Sequence, residues 1–194
     1  ATWNPVTGCS KISIGCRHCY AERMARRLQA TGHPHYRKGF KVALHEDALN
    51  LPVRWTQPRA IFVNSMSDLF HRNVPLAFIR KVFGVMHQAN WHRYQILTKR
   101  ADRLAELNDK LPWASNIWQG VTVEHPAYSG RIDLLRQTAA HIKFLSLEPL
   151  LAPMPRLKLR DIDWVIVGGE SGPGARPIEA EWVTDIRDQC QKAG

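Results

Sequence analysis

Ala60-Ile61-Phe62-Val63-Asn64-Ser65-Met66-Ser67-Asp68 opens with four apolar residues and passes into a mostly polar run. A short apolar, β-branched run of this kind is buried on both faces of a parallel sheet, so it predicts a strand that empties into a loop. Pro75 then starts a helix whose apolar face is Leu76, Ile79, Phe83 and Met86, recurring at helical spacing. Together they form one strand–helix unit.

The unit repeats downstream. Tyr94-Gln95-Ile96-Leu97 runs into Thr98-Lys99-Arg100 and a helix from Ala101 to Lys110, and Ile117 to Val123 ends at Glu124, with a helix over residues 128–138. Ile142 to Leu147 ends at Glu148-Pro149, and Trp164-Val165-Ile166-Val167 ends at Gly168-Gly169-Glu170. A last helix over residues 179–192 offers Trp182, Ile186 and Cys190 to the core, so Cys190 reads as a small core residue. Upstream, residues 40–44 read as a weak strand. Arg17 to Gln29 reads as an amphipathic helix carrying Tyr20, Met24 and Leu28, stopped by Thr31-Gly32-His33-Pro34.

Strands alternating with helices argue an α/β fold, a parallel sheet with crossover helices. A count of about six strands predicts a partial (β/α)6, TIM-like barrel. At 194 residues and 44% hydrophobic, the chain makes one core, and residues 1–194 are read as a single domain. The closing Lys192-Ala193-Gly194 reads as a helix C-cap awaiting another strand, a barrel truncated at its C-terminus. No run approaches the ~20 apolar residues that span a bilayer, and no export signal opens the chain, so a cytoplasmic location without membrane contact is expected.

Three of the four cysteines crowd into one segment, Asn4-Pro5-Val6-Thr7-Gly8-Cys9 through Gly15-Cys16-Arg17-His18-Cys19-Tyr20-Ala21. Clustered thiols in a reducing compartment take metal rather than form disulfides. The spacing C-x6-C-x2-C is a metal-ligand pattern, and soft thiolates select zinc, copper or iron–sulfur clusters. Three ligands on a [4Fe–4S] cube leave one iron open for chemistry.

Asn-Pro-x-x-Gly-Cys followed by Gly-Cys-x-x-Cys-Tyr-Ala resembles the cluster loop of radical S-adenosylmethionine enzymes, nearest the spore photoproduct lyase and DNA-repair-photolyase group, and also a phage-associated family of uncharacterised relatives. The usual loop is C-x3-C-x2-C with an aromatic residue before the last cysteine; here the first spacer is longer and His18 takes that place. The resemblance implies a partial (β/α)6 barrel in which Cys9, Cys16 and Cys19 hold a [4Fe–4S] cluster. S-adenosylmethionine would chelate the open iron and be cleaved to a 5′-deoxyadenosyl radical, with an external electron donor.

In such barrels functional groups collect where strands end. Those positions here are Asn64, Ser65, Ser67, Asp68, Thr98, Lys99, Glu124, Glu148 and Glu170. Ser65-Met66-Ser67-Asp68 and Leu97-Thr98-Lys99 resemble segments of the photolyase-like group, which implies that they help bind S-adenosylmethionine. Lys99 suits a carboxylate or phosphate, and Asp68 suits an amine or hydroxyls, unless Asp68 caps the following turn. Glu124, Glu148 and Glu170 offer acceptors to the cofactor or substrate, or are merely polar strand ends. Gly168 to Gly174 does not follow the dinucleotide-binding pattern. Its glycines allow close backbone approach, and Arg176 is placed to pair with an anion.

Twenty-seven Lys and Arg against 17 Asp and Glu give a formal charge of +10, a field that attracts polyanions. DNA or RNA, or equally a small phosphorylated substrate, is therefore the partner class to expect, with Arg23, Arg26, Arg27, His33, His35, Arg37, Lys38 and Lys41 as the densest patch, or else as a solvated helix face and loop. Trp3 and Trp118 are candidates for base stacking. The alternative from another class is a zinc-stabilised, non-catalytic nucleic-acid-binding module, with His33 or His35 as the fourth ligand.

Overall fold

In the computed structural model, which describes residues 1–194, the chain opens with β1 (Thr2–Trp3) and β2 (Val6–Thr7), then α1 (Tyr20–Ala30), β3 (Ala43–Leu44) and β4 (Ala60–Val63). It continues through α2 (Leu76–Gln88), β5 (Arg93–Thr98), α3 (Ala101–Leu107), β6 (Ile117–Thr122) and α4 (Gly130–Arg136). β7 (Ile142–Leu147), β8 (Trp164–Val167) and α5 (Ala180–Ala193) complete it. Six strands form one parallel sheet in the order β1, β4, β5, β6, β7, β8. Spatial order follows chain order, so the sheet is wound in one direction, with β1 and β8 as its edges. β2 and β3 form a separate antiparallel ribbon.

Register divides the sheet into two faces. On one, Ile61, Tyr94 and Ile117 align in a row, and Val63, Ile96 and Gln119 in the next. The apolar members of these rows pack with Ile79, Phe83 and Met86 of α2, Leu104 of α3, Ile132 and Leu135 of α4 and Ile186 of α5 in a single cluster of 30 buried residues. Burying a side chain of this size contributes about 1.5–3 kcal/mol, so this cluster dominates the stability.

The opposite face carries Phe62, Gln95 and Trp118 in one row and Leu97, Gly120, Phe144 and Trp164 in another. The Trp164 ring lies 5.6 Å from Phe144 and 6.3 Å from Trp118. Gly120 makes room for this packing, since a Cβ there would meet the Phe144 ring at 2.4 Å. Phe144 is buried in this row, whereas Trp164, on the edge strand, is 41% exposed.

Several boundaries differ from the expectation. α1 begins at Tyr20 rather than Arg17, with Cys19 as its N-cap. The third helix stops at Leu107 and tightens into a 3-10 turn over Asn108–Lys110. Tyr128 lies in a 3-10 turn before α4, where the His125 side chain accepts from the Ala127 amide. The expected strand over residues 40–44 is reduced to two residues. Trp3 is not available for stacking: it is 1% exposed, in the core, and its Nε1 donates to Ala48 O at 2.8 Å.

Candidate functional site

The segment before the first cysteine is stitched to the loop after β4. Asn4 Oδ1 accepts from Ser65 Oγ (3.2 Å) and the Met66 amide (3.1 Å), and Ser67 Oγ donates to Val6 O at 2.9 Å. Asn64 Oδ1 accepts from the Val6 amide at 3.2 Å. Gly8 bridges to Ser67 and donates to Met66 O at 3.0 Å. Its φ of +79° favours glycine, and a Cβ would stand 2.2 Å from Lys41 O, so this turn admits no side chain.

Beyond Gly8 the cysteine loop crosses the C-terminal ends of β4, β5 and β6. Ser10 Oγ lies 2.8 Å from His71 Nε2, and Arg100 Nη2 donates to Ser10 O and Oγ, both at 3.0 Å. Ser13 Oγ donates to Glu124, the Ile14 amide donates to Tyr128 Oη at 3.2 Å, and Gly15 lies so close that a Cβ would meet Glu124 Cγ at 2.8 Å. At the far end Tyr20 Oη donates to Ser65 O. Residues contributed by three strand ends thus hold one loop.

Cys9, Cys16 and Cys19 are free thiols, each half-buried. Burial pushes the Cys9 thiol above its usual pKa and Asp68 adds to this, while Arg100, whose Nη2 is 3.9 Å from the sulfur, works against both. Cys16 Sγ lies 3.5 Å from Ser13 Oγ. Around one tetrahedral zinc, sulfurs sit roughly 4 Å apart. The three thiols are not gathered that tightly; the one group of His, Cys, Asp or Glu ligand atoms all within 4.8 Å of one another is His35, His45 and Asp47. His35 is stacked on His45 at 3.9 Å and sits 2.9 Å from Asp47, so it does not complete the cysteine set. Three free thiols on one anchored loop are soft donors of the type that hold zinc or iron–sulfur clusters. Cys190 is half-buried against the main core, as a packing residue.

The strand-end residues divide by how their side chains are engaged. Asp68 accepts from Thr98 Oγ1 (2.8 and 2.9 Å), the Phe70 amide (2.9 Å) and the Lys99 amide (3.2 Å), so it both caps its turn and ties β4 to β5. Ser65 and Ser67 bond the Asn4–Val6 segment. Glu124 is 0% exposed, accepts from Ser13 and pairs with Arg131 at 2.8 Å. It supports the cysteine loop from beneath. Glu170 is gripped by Arg176, whose Nε donates at 2.9 Å, and this hydrogen bond holds its pKa down to about 2. Glu148 and Lys99 are the two whose side chains have no hydrogen bond or ion pair. Glu148 is exposed, and its charge adds to the effects of burial and Cys19 that push the Tyr20 phenol upward.

The Gly-rich segment comes to the same place. Arg23 of α1 donates to Ser171 O at 3.1 Å, and a Cβ on Gly174 would lie 3.7 Å from His18. Gly168 faces Glu148, where a Cβ would stand 3.0 Å from the carboxyl carbon. Sequence reasoning missed Ser13, Arg100 and Arg131, which hold the loop. Arg100 follows Thr98-Lys99 directly, and that adjacency was the available signal.

Neither the curated proteins nor the solved structures give a match to this chain. A family model matches over residues 1–194, and the chain accordingly belongs to the family described as protein of unknown function, DUF5131.

Proposed function

We propose that the chain is a radical S-adenosylmethionine enzyme acting on nucleic acid, with Cys9, Cys16 and Cys19 as ligands of a [4Fe–4S] cluster at the open end of a partial (β/α)6 barrel. The observation that carries this reading is the fastening of three free, half-buried thiols over the C-terminal ends of β4, β5 and β6. Ligands of parallel α/β sheets bind beyond those ends. One-directional strand order supports the barrel.

When bound, such a cluster would pass one electron from an external donor to S-adenosylmethionine, breaking its S–C5′ bond to release methionine and give a 5′-deoxyadenosyl radical able to abstract hydrogen from the substrate. The chain's own part is positional. Arg100 sets positive charge beside Cys9, which favours its thiolate, and the start of α1 presents amide dipoles behind Cys19. Glu148 has a free carboxylate suited to a cofactor amine, and Gly168 and Gly169 let backbone approach closely. The formal charge of +10 supports a polyanionic substrate.

Anaerobic reconstitution with iron and sulfide tests the reading. The expected protein is brown, holds about four irons per chain, has a visible sulfur-to-iron band that bleaches with dithionite, and releases 5′-deoxyadenosine from S-adenosylmethionine. Cys16→Ala should lose iron and release together. Release retained in that variant contradicts the ligand assignment, and a colourless protein holding one zinc favours the nucleic-acid-binding module instead.

A further inference from the structure

A cavity of about 600 Å³ opens between the turn after β4 and the starts of α3 and α4. Five cations line it, Arg72, Lys99, Arg100, Arg103 and Arg131, against the single carboxylate of Asp102. Two of the five are balanced from beneath: Arg131 pairs with Glu124 at 2.8 Å, and Arg100 Nε lies 3.7 Å from Asp68. Arg103 donates to the Phe70 (3.3 Å), His71 and Val74 (2.6 Å) carbonyls, which fix the guanidinium without neutralising it. Arg72 and Lys99, from separate turns, have side chains without a hydrogen bond or ion pair.

Three cations facing one carboxylate in a concave site repel one another unless an anion joins them. Burial lowers the Arg103 pKa and Arg100 adds to this, while Glu106 and Asp68 oppose it without cancelling it. Two unpaired donors beside one fixed by carbonyls suit a tetrahedral oxyanion with several acceptor oxygens.

We propose that this cavity binds a phosphate group, with Arg72 and Lys99 as its direct contacts and Arg103 behind them. The site lies outside the cysteine loop but shares a wall with it. Ile12 of that loop lines the cavity, and Arg100 reaches from the cavity to Ser10 and Cys9. A nucleic-acid strand anchored here by one phosphate would lie beside the Cys9 end of that loop. The proposal rests on the nucleic-acid part of the reading above and not on the cluster.

Binding of a short, labelled single-stranded oligonucleotide, followed by fluorescence anisotropy across a salt series, tests it. Calorimetry with inorganic pyrophosphate forms a second arm. Arg72→Ala/Lys99→Ala should weaken oligonucleotide binding about tenfold or more and reduce the log–log salt slope by about one per cation removed. Arg156→Ala/Lys192→Ala removes the same charge from exposed positions outside both the cavity and the basic patch and should weaken it much less. Pyrophosphate binding lost in the first double variant while the oligonucleotide is unaffected identifies a small phosphate ester as the source. Equal losses in both double variants reduce the effect to net charge and overturn the site, as does binding of both probes that neither variant changes. The readout is binding alone, so failure here leaves iron content and 5′-deoxyadenosine release standing, and an iron-free protein leaves this site standing.

Discussion

Ser13 donates its hydroxyl to Glu124, a carboxylate fully shielded from solvent and 111 residues further along the chain. Arg131 pairs with the same carboxylate from the other side at 2.8 Å. The contact joins the middle of the cysteine loop to the end of β6. Removing one partner of a buried pair costs about 3–5 kcal/mol, because the remaining charge is stranded. Glu124→Ala should therefore lower stability by about that much in urea unfolding and reduce iron uptake on reconstitution. Glu148→Ala, at an exposed and unpaired carboxylate, should leave stability within about 0.5 kcal/mol.

Gly8 and Gly32 both have positive φ, +79° and +75°, but differ in surroundings. A Cβ on Gly8 would collide with the Lys41 carbonyl, whereas nothing lies within 4 Å at Gly32. Gly32→Ala should cost about 1 kcal/mol from backbone strain alone. Gly8→Ala should cost at least about 3 kcal/mol and shift the adjacent Cys9, seen as faster alkylation of that thiol by mass spectrometry.

The fourth cysteine separates packing from ligation. Cys190 packs against the core from α5, and burial raises its pKa. Cys190→Ala should cost about 1 kcal/mol and leave the iron-to-protein ratio of the reconstituted chain unchanged.

Glu170 is held at a pKa of about 2 by Arg176, below its ordinary 4.5. A depressed carboxyl stabilises the fold fully above the unfolded value, and that contribution is lost as pH falls from 4.5 toward 2. Glu170→Gln should be less stable than the parent by about 2 kcal/mol at pH 7, with the gap closing in acid over that window. Urea midpoints across a pH series measure it.

His45 titrates below the ordinary histidine value because it is buried and faces His35. The unfolded chain takes this proton more readily than the fold does. Stability from this group is therefore complete above about pH 6.5 and declines as pH drops below it. His45→Gln, which keeps a polar partner for Thr7 Oγ1, should flatten that decline in thermal unfolding followed from pH 7 to pH 5.

The strands from β4 to β8 were legible because each is a short, mainly apolar and β-branched or aromatic run that empties into polar or glycine residues. β1 and β2 were not, since two residues show no period; only pairing of Thr2–Trp3 with Phe62–Val63 makes β1 a strand. The cysteine loop was legible from spacing. Its fastening was not, because a glutamate at a strand end looks the same in sequence whether it faces a ligand or, like Glu124, lies beneath a loop. The basic patch over residues 23–41 was chosen for density along the chain, yet Arg26 there is paired with Glu22. The cationic cavity escaped notice because Arg72, Lys99, Arg103 and Arg131 are dispersed in sequence and meet only when three turns converge.

The thiols at positions 9 to 19 are synthesised before every residue that secures them: Met66, Arg100, Glu124 and Tyr128 leave the ribosome later. During translation the loop therefore waits, unanchored, for more than half the chain to emerge. On the proposed reading, a cluster would be loaded only after β6 is complete, onto an assembled acceptor rather than a nascent peptide.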